Sequence, residues 1–95
     1  YACDISNQEA VFTVINKIIE NSDIDILVNN AGIAHVGNLE GTSENDLDRL
    51  YNVNIKGVYN CMYACIKKMK KNKNGAVILN MASIVATVAI SDRFA

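Results

Sequence analysis

The sequence contains no proline and no tryptophan, a single histidine and no long hydrophobic run. Because proline is absent, no proline-rich linker divides the chain, and its 95 residues make at most one small domain. No stretch reaches the roughly 18 apolar residues that a membrane-spanning helix needs. The N-terminus, Tyr1–Asp4, has no basic region followed by an apolar stretch, so we expect neither a signal peptide nor a membrane partner.

An excess of charge of either sign is also missing. Lysine and arginine number 9 and aspartate and glutamate 10, and the net charge of −1 argues against a nucleic-acid partner. Five lysines crowd the end of a predicted helix, where they complement the helix dipole in solvent rather than form a nucleic-acid patch. They are Lys67, Lys68, Lys70, Lys71 and Lys73.

Cysteine and histidine are too few and too scattered to predict a metal site. Cys61 and Cys65 lie four residues apart on a predicted helix, Cys3 is far from them, and no second pair completes a zinc-finger spacing. His35 stands alone, so we interpret it as an ordinary loop histidine. We interpret the cysteines as small buried hydrophobes of a reducing cytosol and expect a cytoplasmic protein.

Short apolar runs alternate with helical periodicity along the chain, which is typical of βαβ units and a parallel sheet. Tyr1–Asp4 reads as the end of a strand, and a capping box that begins at Ser6 predicts the start of a helix. The apolar runs at 26–28 and 76–81 predict two strands that are covered on both faces. The predicted fold class is therefore α/β.

A long second helix is predicted over about residues 44–71, after a capping region at 42–44. Asn54 falls on its apolar stripe, where a polar amide costs free energy unless it is hydrogen-bonded. Gly57, one turn later, permits a local kink or a close approach. The other members of the stripe are Leu47, Leu50, Tyr51, Val58, Cys61 and Cys65.

Three predicted strand ends carry polar or glycine-containing segments, namely Asp4, Asn29–Gly32 and Ser83. In an open α/β sheet, ligands bind outside the carboxyl ends of the strands. Each segment taken alone could be only a turn or a cap. Together with an amide on the apolar stripe of the long helix, they indicate a ligand site.

At these positions the chain resembles the short-chain dehydrogenase/reductase family, in the family's order and spacing. The matching segments are Cys-Asp-Ile-Ser at 3–6, Asp-Ile-Leu-Val-Asn-Asn-Ala-Gly at 25–32, Asn-Val-Asn-Ile-Lys-Gly-Val-Tyr at 52–59 and Ile-Leu-Asn-Met-Ala-Ser at 78–83. The resemblance implies that residues 1–95 form one partial Rossmann-like domain with a doubly wound parallel sheet. This segment supplies the end of the third strand, a helix, the fourth strand, the long helix and the fifth strand.

The resemblance also implies a cofactor site for NAD or NADP, without deciding between them. Asp4, with the backbone of Ile5, would contact the adenine. Asn30, with Ala31 and Gly32, would shape the pocket beside the adenosine ribose, where small residues let the backbone approach the cofactor.

Two catalytic roles follow from the same resemblance. Asn54 would position a water for proton relay. Ser83 would hydrogen-bond the carbonyl or alkoxide of a small-molecule substrate and stabilise its developing charge. Sugars, polyols, 3-oxoacyl thioesters and steroids all remain open as substrates.

Two parts of the family pattern are missing from this sequence. It has no G-x-G-x-x-G fingerprint for the cofactor, and the family's Tyr-x-x-x-Lys would begin just beyond Ala95. Tyr51, Tyr59 and Tyr63 cannot replace that tyrosine, because they lie on the preceding helix. We therefore expect the middle of a longer, homo-oligomeric enzyme and no activity from these residues alone. The alternative is a truncated, non-catalytic product that acts, if at all, as an interaction module through helix 44–71.

Overall fold

The computed structural model describes all residues from Tyr1 to Ala95. Two strands pair in parallel, with Ile26 opposite Val77 and Asn29 opposite Asn80. The elements in chain order are helix α1 (Gln8–Asn21), strand β1 (Ile26–Asn29), helix α2 (Glu44–Tyr51), a π-helical segment (Asn52–Gly57), helix α3 (Val58–Met69), strand β2 (Val77–Asn80) and a 3₁₀ turn (Ile84–Ala86). The parallel strands and the helices between them confirm the predicted α/β fold class.

Helix α1 begins at a different cap from the one predicted. Asn7 is the N-cap, and its side-chain oxygen accepts the N–H of Ala10 at 3.1 Å. Ser6 instead donates its N–H and its hydroxyl to Oδ1 of Asp4, at 2.9 and 2.8 Å. The capping box predicted from Ser6 is therefore wrong: the helix starts one residue later, and the Ser6 N–H that Glu9 would have accepted goes to Asp4 instead.

The predicted long helix runs from Glu44 to Met69 and changes its winding in the middle. Ser43 caps it as predicted: its Oγ accepts the N–H of Asp46 at 3.1 Å, while the Asp46 carboxylate accepts the N–H of Ser43 at 3.2 Å. The π-helical segment, Asn52–Gly57, contains Asn54 and widens the helix there. π-Helical turns are rare in proteins, and those that occur often lie at functional sites.

The core lies where α3 packs against α1 and β1. Its buried apolar side chains are Val11, Leu50, Cys65 and Met69. The predicted apolar stripe is correct at Leu50 and Cys65, but Leu47 and Tyr51 are exposed. On α2 the stripe therefore holds at Leu50 alone, and no other element of the chain covers Leu47 and Tyr51.

One face of the two-stranded sheet is open to solvent. Ile26, Val28, Val77 and Leu79 are each about half exposed or more, so the expectation of strands covered on both faces is wrong for these residues. The predicted strand at Tyr1–Asp4 is also absent, since no other strand pairs with it. The radius of gyration is 15.8 Å, against about 12 Å for a closed globule of this length. No helix of the chain has both the length and the hydropathy that crossing a membrane requires.

Candidate functional site

Asn54 joins the π-helical segment to the loop that follows β1. Its Oδ1 accepts the N–H of Ile33 and its Nδ2 donates to the carbonyl of Ile33, both at 2.9 Å. The oxygen and the nitrogen of this half-buried amide therefore each have a partner, as its place on an apolar stripe requires. Gly32 lies directly beside it, since a Cβ on Gly32 would stand 3.4 Å from Asn54 Oδ1. Asn54 thus fixes the loop that carries Asn30, Ala31 and Gly32.

The carboxyl ends of the two strands are locked together by a pair of asparagines. Asn29 is 9% exposed, and its Nδ2 donates to Oδ1 of Asn80 at 2.8 Å. Met81 continues the pairing by donating its N–H to the carbonyl of Asn29 at 3.0 Å. The loop at 30–32 and the segment that carries Ser83 therefore leave the sheet at the same edge.

Ser83 stands three residues beyond the end of β2, in extended and exposed backbone. It caps the 3₁₀ turn, where its Oγ accepts the N–H of Val85 at a long 3.4 Å. Because a hydroxyl has one donor and two acceptor positions, this weak bond leaves the proton of Ser83 available. Ser83 can therefore donate to a ligand at the sheet edge.

Asp4 and Ile5 present a free acceptor beside a free donor. Both hydrogen bonds from Ser6 end on Oδ1 of Asp4, so Oδ2 has no partner. The Ser6 hydroxyl first, and the Ser6 N–H second, hold the pKa of the Asp4 carboxyl below its usual 3.8, so the group is ionised at neutral pH. The N–H of Ile5 has no partner within the chain.

A small cavity of about 100 Å³ brings predicted cofactor residues together. Ile5, Asn30 and Ala31 lie side by side in its wall, although Ile5 is 25 residues before Asn30 in the sequence. The remaining lining residues are Leu27, Val28, Asn29, Val58 and Cys61. Predicted site residues from two separate segments therefore share one surface.

The sequence analysis missed a second amide on the long helix. Asn60 is completely buried on α3; its Nδ2 donates to the carbonyl of Ile5 at 2.9 Å, and its Oδ1 accepts from Nε2 of Gln8 at 3.1 Å. Gly57 provides the predicted close approach, since a Cβ there would stand 2.6 Å from Cδ1 of Ile5. The available signal was spacing, because Asn60 follows Gly57 by three residues and shares its helix face.

The loop after β1 is also tied to the segment after Ser83. The N–H of Gly37 donates to the carbonyl of Asp92 at 2.8 Å, and the N–H of Phe94 donates to the carbonyl of Gly37 at 3.1 Å. His35 covers this bridge, since a Cβ on Gly37 would lie 2.8 Å from His35 Nε2. His35 is therefore a packed residue of the loop. Its Nε2 is buried without a partner, and its Nδ1 lies 3.8 Å from the carboxylate of Asp46.

The cysteines differ in exposure: Cys65 is buried and Cys61 half-buried, whereas Cys3 is exposed, so the prediction of a buried hydrophobe is wrong at Cys3. All three are free thiols, and burial raises the pKa of the Cys61 and Cys65 thiols. A raised pKa keeps the reactive thiolate scarce at neutral pH. His, Cys, Asp and Glu side chains nowhere gather in a group of three that could hold a metal ion.

Comparison with known proteins gives a consistent picture. The family model described as short chain dehydrogenase matches residues 1–94. The chain is 35% identical over 86 residues to a 3-oxoacyl-[acyl-carrier-protein] reductase of Thermotoga maritima, covering 90% of this chain and 35% of that protein. It is 43% identical over 81 residues to a subunit of (2S)-[(R)-hydroxy(phenyl)methyl]succinyl-CoA dehydrogenase of Thauera aromatica, covering 84% of this chain and 32% of that protein.

Solved structures with folds similar to this chain include a dehydrogenase and a protein with NADP bound. The aldohexose dehydrogenase of Thermoplasma acidophilum, in ligand-free form, superposes with a TM-score of 0.90 at 31% identity, covering 98% of this chain and 36% of that chain. ElxO with NADP bound gives a TM-score of 0.88 at 36% identity, covering 98% of this chain and 38% of that chain. The chain therefore spans about a third of the length of these proteins.

Proposed function

The chain belongs to the short-chain dehydrogenase family, and on that premise we propose that the complete protein transfers hydride between NAD or NADP and a carbonyl or secondary alcohol. The observation that carries the proposal is the double hydrogen bond from Asn54 to Ile33, which fixes the loop at 30–32 at the same sheet edge as Ser83. We propose that the protein acts in the cytoplasm on a small molecule, without a nucleic-acid or membrane partner.

The residues present fit the adenosine half of a nicotinamide dinucleotide. Adenine presents its 6-amino donor beside the N1 acceptor of the ring, which matches the free Oδ2 of Asp4 and the free N–H of Ile5. Asn30, Ala31 and Gly32 line the approach with exposed, mostly small residues. When bound, the dinucleotide supplies or accepts the hydride, whereas these residues supply binding and orientation.

Ser83 is the proposed donor to the substrate oxygen. Negative charge develops on that oxygen as a carbonyl is reduced, and a fixed hydroxyl donor lowers the barrier by roughly 3–4 kcal/mol. Ser83 can supply this bond because its only partner, the N–H of Val85, leaves its own proton unused.

Asn54 is the proposed positioning residue of the proton relay. Both atoms of its amide are bonded to Ile33. These two bonds leave one N–H and one lone pair of the amide uncommitted. We therefore propose that Asn54 fixes the loop backbone and positions the relay water beside it.

The test is turnover by the complete protein. NADH and NADPH are each offered with a 3-oxoacyl thioester, an aldose and a keto-steroid, and the oxidised cofactors with a polyol, while nicotinamide absorbance is followed. We expect cofactor-dependent turnover with at least one class. No turnover with any class, together with no dinucleotide binding by calorimetry, would contradict the proposal.

We also propose that the complete protein is a homo-oligomer. Five large side chains recur every fourth residue along the helix that runs from Glu44 to Met69, and each is about half exposed. They are Leu47, Tyr51, Ile55, Tyr59 and Tyr63. Contiguous exposed apolar surface marks interaction sites, and the rings of Tyr59 and Tyr63 lie 5.6 Å apart.

These five exposed side chains would equally serve the alternative, a non-catalytic interaction module. Sedimentation of the complete protein, with Tyr59→Lys as the test variant and Asn45→Lys as the exposed control on α2, measures the assembly. Dissociation by Tyr59→Lys alone supports the oligomer. Turnover in the preceding assay then separates an enzyme from a module, and a monomeric wild type contradicts the assembly proposal.

A further inference from the structure

We propose that Asn60 is the positioning residue of the adenine subsite, and that it orients the Asp4 carboxylate through one peptide group. The inference rests on the proposed function, since it takes Asp4 and Ile5 as the residues that contact adenine. Asn60 itself touches neither the cofactor nor the substrate. It lies in the core, where it contacts the backbone of Ile5.

The Asn60 amide is completely buried, so it needs hydrogen-bond partners within the protein. A buried polar side chain costs free energy unless its donors and acceptors are paired. Asn60 meets this requirement by donating to the carbonyl of Ile5 at 2.9 Å and accepting from Gln8 at 3.1 Å. Only a side chain with both a donor and an acceptor satisfies this arrangement, which excludes Leu and an ionised Asp.

The link from Asn60 to Asp4 passes through a single rigid unit. The Ile5 carbonyl belongs to the same peptide group as the Ser6 N–H, and that N–H donates to Oδ1 of Asp4 at 2.9 Å. Because the peptide group is planar and resists rotation, fixing its carbonyl also fixes the direction of its N–H. Asn60 therefore fixes one of the two donors that orient the Asp4 carboxylate, and the other is the Ser6 hydroxyl at 2.8 Å.

Gly57 completes the support from the same helix. The side chain of Ile5 lies so close that a Cβ on Gly57 would be 2.6 Å from Ile5 Cδ1 and 2.7 Å from Ile5 Cγ1. Ile5 is thus held by its side chain against Gly57 and by its carbonyl through Asn60. The donor and acceptor that face adenine are consequently carried by a segment with little freedom to move.

The experiment compares adenine with hypoxanthine, which replaces the amino group by a carbonyl oxygen and the ring acceptor by a donor. Calorimetry on the complete protein gives Kd for nicotinamide adenine dinucleotide and nicotinamide hypoxanthine dinucleotide, or for their 2′-phosphates. Thermal unfolding is measured in parallel. We expect wild type to prefer adenine, and Asn60→Leu to reduce that preference about tenfold. Asn16→Leu, on the exposed side of α1, should leave the preference unchanged.

If Asn60 has only a structural role, Asn60→Leu should weaken the binding of both dinucleotides equally and leave the ratio of their Kd values unchanged. That result would overturn the inference. If wild type binds neither dinucleotide or does not discriminate, the adenine assignment in the proposed function fails instead. Should Asn60→Leu not fold, Gln8→Ala provides the second variant, since it removes the donor that orients Asn60. A reduced ratio for Gln8→Ala supports the inference, and an unchanged ratio contradicts it.

Discussion

Asn54 holds Ile33 by both of its backbone groups, accepting from the N–H and donating to the carbonyl at 2.9 Å each. A side-chain amide paired in this way acts like a neighbouring strand, and it fixes the direction of the loop as well as its position. The loop begins at the Asn29–Asn80 pair, so its start is set by the sheet and its course by the helix. The site is built on these two supports.

Replacing Asn54 by Leu should lower kcat far more than cofactor affinity in the complete protein. Loss of the amide leaves the half-buried N–H and carbonyl of Ile33 unpaired, at a cost below the roughly 1–3 kcal/mol of a fully buried group, and it removes the group proposed to position the relay water. Steady-state kinetics, calorimetry and urea unfolding are compared with Asn45→Leu, an exposed control on α2. Unchanged kcat in a well-folded Asn54→Leu protein would leave Asn54 a structural residue only.

Gly37→Ala should weaken the bridge between the loop after β1 and the segment after Ser83. The added methyl group would stand 2.8 Å from His35 Nε2, closer than nonbonded atoms tolerate. We expect faster amide exchange at Phe94, whose N–H donates to Gly37, and a lower thermal midpoint. The double variant His35→Ala with Gly37→Ala should restore slow exchange. If the double variant exchanges as fast as Gly37→Ala alone, the clash with His35 is not the cause.

The capping box of α2 should lose its stabilising effect in acid. Hydrogen bonds from the Ser43 hydroxyl and then the Ser43 N–H lower the pKa of Asp46 below its usual 3.8. Because folding lowers this pKa, the contribution is fully present above the ordinary value and is lost as the pH falls through the lowered one. Ser43→Ala should raise the Asp46 pKa in an NMR titration and destabilise the protein less at low pH than at neutral pH. Ser22→Ala is the control, and an unmoved Asp46 pKa in Ser43→Ala argues against the capping account.

Residues 1–95 prepared alone should fold loosely or aggregate. The open sheet face leaves Ile26, Val28, Val77 and Leu79 in water, and only four apolar side chains are buried. The chain should also bind NAD and NADP weakly, because the residues proposed to bind the cofactor contact only its adenosine half, and the sequence has no glycine-rich pyrophosphate loop. Thermal unfolding and calorimetry check both points. A sharp two-state transition of a monomer, or micromolar binding, would contradict them.

Local pattern predicted most of the architecture. The helical periodicity found α1 and the long helix, the short apolar runs found β1 and β2, and the Ser43 cap was correct because capping chemistry is local. The capping box at Ser6 was wrong because Asn7 caps the helix instead and the Asp4 carboxylate accepts the Ser6 N–H. The capping-box pattern alone does not decide between neighbouring residues that could each cap the helix.

The missed features depend on contacts between distant residues. Asn54 was found because an amide on an apolar stripe needs a partner, but the sequence could not name Ile33 as that partner. Asn60 was missed because its partners, Ile5 and Gln8, lie more than fifty residues away along the chain. The exposure of Tyr51 was missed because helical periodicity marks an apolar face but does not say whether another element covers it.

Ser83→Ala in the complete protein tests the central claim most directly. Ser83 lies at the carboxyl edge of the sheet with its hydroxyl proton unused, and removal of one such preorganised donor lowers kcat by about 10²–10³. The account predicts a loss of this size in carbonyl reduction, with cofactor Kd within a few-fold of wild type and normal turnover for Ser91→Ala. Near-normal kcat for a well-folded Ser83→Ala protein would contradict the catalytic assignment.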